Sequence, residues 1–594
     1  MTKTIRIGGA GAFYGDTSVA APQLVEKGAL DYLVMDYLAE VTMAILAKAR
    51  EKSPDAGYAH DIVPTLKTIL PSLAKQNIKV VTNAGGVNPI ACVKAIRALI
   101  SESGLDLRVA AVTGDDVTDA AADLKDENGN AVDGPLVTAN AYLGAMPIVH
   151  ALNQDADIII TGRCVDSALV LAPLIHEFGW DYGDYDLISS GSLAGHILEC
   201  GAQATGGNFT DWQLVPDWEN IGFPIAECRA DGGFLITKPS NTGGIVTAGT
   251  VAEQIVYEIG DPSAYLLPDV TCDWSNVELT EVEKNVVRVS GARGRAPSAV
   301  YKVGGVQADG FRTTYLLFIG GHDAPAKARR TADAIITRVG RILKDRQLPP
   351  LDAHSIEVIG SEDTYGANAK GIDPRDVVLK ISVQSSHKAS VNLFIREVAA
   401  AATGMAPGIS NGGQGLPRAT QRMVFNSLYI DKEQVPVTLT IGDDAKAVSA
   451  FHRHEGAQNT PPLEQRRTGH ADMRDLVRVP LRALAYGRSG DKGDHANIGI
   501  IARNADFYPY IDAALTEDSV TQFMVHTGTT KVEKYYLPGF FAINFLLRNA
   551  LGGGGTGSLR MDPQGKAFAQ QLLDFDVQVP ADLCKRYSLT TIAS

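Results

Sequence analysis

Between residue 4 and about residue 200, short β-branched runs alternate with longer runs that carry apolar residues at helical spacing. That alternation restricts the fold more than any other feature of the 594 residues. Two parallel neighbouring strands need a long return path, and a helix across the sheet face is the usual one, so the pattern predicts a parallel sheet with crossover helices. Strands are expected at 4–7, 32–35, 79–82, 108–112 and 157–161, and helices at 39–50, 64–76 and 89–101.

On open α/β sheets, ligands gather beyond the carboxyl ends of the strands. The segments in those places are GGAGAFYGD (8–16), Asp36, NAGGVNP (83–89), TGDD (113–116) and TGRCVD (161–166). One glycine turn means little, but five polar or glycine-rich ends on one edge predict an active-site rim. Gly11, Asp16, Asp36, Asn83, Gly85, Gly86 and Asn88 are its binding candidates. GGAGAFYGD with Asp36 behind it imitates a dinucleotide fingerprint, but GxGxxxG replaces GxGxxG, which counts against a nicotinamide or flavin. The same loop reads as a close backbone approach for substrate or a CoA phosphate, or as a tight turn capped by Asp16.

TGRCVD places three reactive groups after one strand. Arg163 offers a fork for a carboxylate or phosphate, Cys164 a thiol whose pKa a nearby arginine would lower, and Asp166 a general base. The plain alternative for Cys164 is a small buried hydrophobe. In ECGAQATGGN (199–208), Glu199 sits in an apolar run, where a carboxylate is either paired or functional, and Gln203 adds an amide. KPSNTGG (238–244) is expected to end at a helix N-terminus, which would make Asn241, Gly243 and Gly244 an anion site. SGDKGDHANIG (489–499) packs Asp491, Lys492, Asp494, His495 and Asn497 together and reads as a polar hairpin, or as a site that orients a proton-transfer group or grips a carboxylate, with Lys492 and His495 as binding candidates. His452 and His454 would share a face on a strand but lack a third ligand, so no metal site is expected.

Composition excludes several classes of function. With 54 basic and 68 acidic residues the formal charge is −14, and without a basic run this disfavours nucleic acid. The six cysteines stand far apart with no CxxC, which fits reduced thiols better than a disulfide framework. The N-terminus lacks signal-peptide features, and no apolar stretch reaches the ~18 residues of a membrane span, so a soluble cytoplasmic protein is expected. The expected organisation is an α/β region over 1–229, a second mixed α/β region over 230–454, a polar linker over 455–478 and a small α+β module over 479–594. Within the module, helices are expected at 516–524, 539–549 and 566–573, and strands at 481–485 and 575–579.

The ordered motifs GGAGAFYGD, DYLVMDYLAEVTMAIL, NAGGVNP, GRCVDSAL, GHILECGAQATGGNFTDW and KPSNTGG resemble the acyclic terpene utilisation (AtuA-like) family. SGDKGDHANIGIIAR, INFLLRNALGGGG and SLRMDPQGKA resemble the ferredoxin-like domain often attached to it, so the resemblance spans about residues 4–580. It implies catabolism of citronellol-like terpenes or other branched acids, beside acyl-CoA carboxylases and enoyl-CoA hydratases. The implied activity is a lyase that cleaves a 3-hydroxy-3-alkylglutaryl-CoA with release of acetate. Alternatives are a hydratase or dehydratase of a branched acyl-CoA, and a noncatalytic acyl-CoA-binding partner of a carboxylase. CoA would enter as part of the substrate; no other cofactor is implied and nothing supports a divalent metal. Retro-aldol chemistry would use Asp166 or Glu199 as base, Arg163 on the free carboxylate, and the amides of Gly85 and Gly86 on the enolate oxygen. A homo-oligomer is expected for an enzyme of this size.

Overall fold

The computed structural model describes residues 3–411, 413, 415–452, 471 and 474–592. At its centre are five parallel strands in the spatial order Thr4–Gly9, Tyr32–Met35, Lys79–Thr82, Ile158–Thr161, Val109–Thr113. They read as nearly unbroken apolar runs because helices bury both faces of the sheet. Ile158–Thr161 inserts between Lys79–Thr82 and Val109–Thr113, so its carboxyl end opens at a switch in strand order, where ligands settle in such sheets. The expected strands and helices of this region are present to within about two residues.

The sheet extends well beyond the parallel centre. Antiparallel strands Ile225–Arg229, Phe234–Thr237, Val286–Ser290 and Glu278–Glu283 widen it on one side, and Val437–Ile441 with Asp444–Val448 on the other. The 229/230 division therefore falls in the turn between two hydrogen-bonded strands of one sheet. A second sheet is organised by the 21-residue strand Val300–Gly320, which pairs with Thr420–Asp431 and Leu136–Ala141 along its first half and with Asp376–Ser385 along its second. Leu136–Ala141 was not expected: its partner lies more than 150 residues away, and no local signal announces such a pairing.

The C-terminal module is a four-stranded antiparallel sheet in the order Ala485–Lys492, His495–Ala502, Ala542–Arg548, Lys531–Leu537, flanked by the pair Leu476–Pro480 and Asp576–Pro580. Two expectations are corrected here. The helix at 539–549 is the strand Ala542–Arg548: its AINFLLR run is almost wholly buried, and without periodicity an apolar run does not tell helix from strand. The strand at 481–485 is a short turn, Leu481–Ala483, between two strands. Helices Glu517–Phe523 and Phe568–Leu572 stand where helices were expected. The end of the 455–478 linker is already strand, whereas 453–470, which includes His454, lies outside the described residues. Among the described residues no helix is long and apolar enough to cross a membrane.

The module is fastened to the main body by buried amides. Asn497 Nδ2 donates to Val256 O (2.6 Å), and Asn544 Nδ2 donates to Ile259 O (3.0 Å) and Gly260 O (2.7 Å). Gly499 lies flat against Val256, where a Cβ would overlap the valine side chain. Gly499→Ala is expected to lower the unfolding free energy by about 1–3 kcal/mol through overpacking, read as an earlier midpoint in urea. An unchanged midpoint would mean that this contact contributes no stability.

Candidate active site

The loop after Ile158–Thr161 is shaped by Asp115, which follows Val109–Thr113. Its carboxylate sits against Gly162, where a Cβ would collide with it, and accepts from the Arg163 backbone N–H (2.8 Å) and Asn140 Nδ2 (2.9 Å). So anchored, the loop turns Arg163 inward, where only 4% of its surface is exposed. Its Nη1 donates to Leu38 O (2.7 Å) and Asp166 Oδ1 (2.8 Å), and its guanidinium lies 4.2 Å above the Tyr142 ring. The Tyr142 hydroxyl donates to Glu40 Oε1 (3.1 Å), and the Lys302 ammonium stands 5.0 Å from the same ring.

Glu199 ends the helix Tyr185–Leu198, one turn after His196. His196 Nδ1 and Glu199 Oε1 are 3.0 Å apart, and His196 Nε2 is 3.2 Å from Ile255 O. A carbonyl only accepts, so Nε2 carries a hydrogen and the 3.0 Å contact holds one shared proton. That proton sits either on the glutamic acid or on the imidazolium. Trp274 and Tyr265 pack around the imidazole, with ring centroids 5.2 and 6.0 Å away.

These groups converge on a cavity of about 250 Å3. Glu40, Arg163 and Asp166 reach it from segments that follow parallel strands, Glu199 from the end of Tyr185–Leu198, Tyr142 from the end of Leu136–Ala141, and Glu258, Tyr265 and Lys302 from later segments. Asp491, Lys492 and Gly493 reach it from the hairpin of the C-terminal module. Burial pushes the Asp166 carboxyl well above the ordinary carboxylate range against the pull of Arg163, and the nearby Asp36, Glu199 and Glu40 add to the rise. Burial thus favours the protonated form of Asp166, the form that can donate a proton. Burial also opposes ionisation of Glu40, but Lys302 and Arg163 outweigh it and hold that carboxyl below its usual value. Lys492 is pushed down, first by burial and then by Lys302. The cavity thus joins a carboxyl whose protonated form is favoured, a proton-sharing pair at its edge and half-buried cations, the parts needed for acid–base chemistry on an anionic substrate.

Asp491 is pushed up to about 7 by burial and by Glu258, against the pull of Lys566. An unfolded aspartate titrates near 4, so between about pH 4 and 7 the folded chain holds a proton that the unfolded chain has lost. Stability is therefore expected to fall as pH rises across that window and to level off above it. Asp36 and Asp115, both pushed up to about 6 chiefly by burial, act in the same direction. Asp491→Asn removes one share, so a flatter slope of unfolding free energy against pH is expected from urea titrations; an unchanged slope would contradict the assignment.

The cavity unites four of the expected residues, Arg163, Asp166, Glu199 and Lys492. Asp36 lies just behind: its Oδ1 accepts from Asn83 Nδ2 (2.7 Å) and Leu38 N–H (3.1 Å), and with Gly11, Asp166 and Glu199 it lines a void of about 10 Å3. The other candidates are used differently. Cys164 is buried and its thiol is pushed up by burial, not lowered, because the Arg163 fork points to Asp166 and Leu38. Gly85 and Gly86 already donate their N–H groups to Thr161 O (3.1 Å) and Asn83 O (3.2 Å), so neither amide can meet an enolate. The glycine at 85 serves packing, since a Cβ there would press on Thr161 O and Pro89.

Asn83 spends its side chain on Asp36 and the Tyr37 N–H (2.8 Å), and Asn88 caps the helix Pro89–Glu102. Asp16 accepts from Ala12 N–H (3.0 Å) at a separate surface cleft, the capped-turn reading. Gln203 accepts from Arg488 on another groove, and His495 Nδ1 accepts from Asn549 N–H (3.1 Å) outside the cavity. The anion site at Asn241, Gly243 and Gly244 is corrected too. Gly243 and Gly244 donate to Asn220 O (2.7 Å) and Pro216 O (2.8 Å), while the helix Ala248–Ile255 is capped by Thr247 and by Glu281, which accepts from Ala248 N–H (2.9 Å).

Glu40, Tyr142, Glu258, Tyr265, Lys302 and Asp491 were not among the expected site residues. Glu40 had the same signal as Glu199, an acid in an apolar stretch just past a strand. Lys302 had none, because a lysine in a strand reads as its solvent face.

Residues 5–441 match the family described as acyclic terpene utilisation family protein AtuA, and residues 479–578 match the AtuA ferredoxin-like domain. No curated protein matches the chain.

Proposed function

From the premise that the chain belongs to the acyclic terpene utilisation family AtuA, with that family's ferredoxin-like domain, we propose that it is a carbon–carbon lyase that cleaves a 3-hydroxy-3-alkylglutaryl-CoA and releases acetate. The observation that carries this reading is the placement of Asp166 and Glu199 on one cavity with Lys302 and Lys492, with His196 held against Glu199 from behind. At about 250 Å3 the cavity is below the ~300–1,000 Å3 of sites that enclose a drug-sized ligand, so it suits the acyl head while the carrier stays outside.

The Glu199–His196 pair removes the proton of the tertiary hydroxyl. As the alkoxide becomes a ketone, the bond to the carboxymethyl branch breaks and its electron pair moves to the methylene carbon. The Asp166 carboxyl delivers its proton there, acetate leaves and a 3-oxoacyl-CoA remains. Lys302 and Lys492 hold the branch carboxylate and offset the charge that builds on it; the cost of burying Lys492 falls when an anion sits beside it. Arg163, occupied by Leu38 and Asp166, positions the acid and does not clamp substrate. The proton then passes from the glutamate pair back to Asp166.

The test is mass spectrometry of the full chain with a panel of branched 3-hydroxyglutaryl-CoA and glutaconyl-CoA thioesters. Acetate with a 3-oxoacyl-CoA is the expected product. Gain or loss of one water would make the protein a hydro-lyase using the same acid and base. No turnover with any member would favour a noncatalytic acyl-CoA-binding partner of a carboxylase.

A further inference from the structure

The glycine-rich run from Gly552 to Gly557 takes no part in the cavity, yet three half-buried arginines close on it, two from distant strands and one, Arg560, from three residues further along the same loop. Arg312, on Val300–Gly320, donates from Nη1 to Thr556 O (2.5 Å). Arg422, on Thr420–Asp431, donates from Nε to Gly557 O (3.2 Å) and lies against Gly553. Arg560 donates to Ala550 O and lies against Gly552. Gly552, Gly553, Gly554 and Gly555 all have positive φ, from 35° to 98°, a conformation that side chains rarely adopt. At Gly552 a Cβ would stand 3.3 Å from Arg560 Nε, so there the bare backbone makes room for the guanidinium.

The cluster is electrically unbalanced. Burial and the charge of Arg422 both push Arg312 down, so these two cations face each other. The carboxylate paired with Arg422 belongs to Asp309, which is 58% exposed, and Asp494 is occupied by the Gly553 N–H (2.7 Å). A guanidinium has five N–H donors, and the backbone bonds just described take one from each arginine. The loop also adjoins the cavity: Gly554 packs on the backbone of Gly493, which lines the cavity beside Lys492.

We propose that this arginine-flanked glycine loop binds a phosphate group of the CoA carrier and tethers the thioester outside the cavity that its acyl head enters. The proposal rests on the acyl-CoA reading above. Arginine forks match phosphate oxygens in pairs, and a glycine backbone lets a phosphate come close. No basic run in the sequence marks this site, because the arginines lie at positions 312, 422 and 560 and meet only in the fold.

The test is calorimetric titration of the full chain with CoA, dephospho-CoA and inorganic phosphate, for the wild type and for Arg422→Gln and Arg560→Gln. CoA is expected to bind, and each substitution to weaken it about tenfold, as loss of one charge-assisted contact does. Weaker dephospho-CoA binding would place the 3′-phosphate in the loop; equal binding that still depends on the arginines would place the diphosphate there. Thermal unfolding checks that the variants fold, and if they do not, the wild-type affinity for CoA must still fall steeply with added salt. Arginine-independent or salt-independent CoA binding, binding of inorganic phosphate without CoA, or no binding at all would each overturn the proposal. Turnover is not read, so arginine-dependent binding without cleavage would refute the lyase and leave the phosphate site standing.

Discussion

Glu199→Gln is expected to lower kcat for acetate release by about 10^2- to 10^4-fold, the usual contribution of a positioned base, with CoA affinity unchanged. Glutamine keeps the size of the side chain and a hydrogen bond to His196, so the cavity keeps its shape while the shared proton is lost. Asp166→Asn should produce a loss of similar order, because an amide cannot protonate the departing carbon. The double variant should be little worse than either single one, since acid and base serve one bond cleavage and their effects do not add. Steady-state kinetics with the cleaved thioester measure all three. A Glu199→Gln enzyme with near wild-type kcat would remove Glu199 from the reaction.

Trp274→Ala is expected to cost about 3–5 kcal/mol of stability, the range for truncating a fully buried aromatic. Trp274 has no exposed surface; its Nε1 donates to Ser189 Oγ (3.2 Å) and its ring packs on Tyr265 at 4.9 Å and on His196 at 5.2 Å. The cavity left behind would border the imidazole that shares the Glu199 proton, so the residual folded enzyme should also lose activity. Trp274→Phe keeps much of the volume and should restore most of the stability. Urea unfolding of both variants checks this; a loss below ~1 kcal/mol for alanine would show that the pocket collapses without strain.

The parallel strands were legible because each is a short β-branched run closed by glycine or a polar residue, and 32–35 and 79–82 stand where the pattern placed them. Arg163, Asp166 and Glu199 were legible for a related reason: charged groups just past buried strands or inside apolar runs are rare unless paired or used. Gly85, Gly86, Asn83 and Asn88 misled because a loop that folds tightly on its own backbone has the composition of one that binds a ligand. The strand Ala542–Arg548 was hidden by burial on both faces. Lys302, Arg312 and Arg422 were hidden by distance along the chain, since their neighbours are supplied only by long-range pairing of strands.

In the proposed cleavage Asp166 hands a proton to the carbon released from the branch. Running the reaction of a 3-hydroxy-3-alkylglutaryl-CoA in deuterium oxide and weighing the acetate tests it directly, because the Asp166 proton exchanges with solvent before transfer. Acetate carrying a single deuterium on its methyl group, and none formed by Asp166→Asn, is the predicted result. Uncleaved substrate, loss of water, or acetate formed equally well by the Asp166→Asn variant would contradict it.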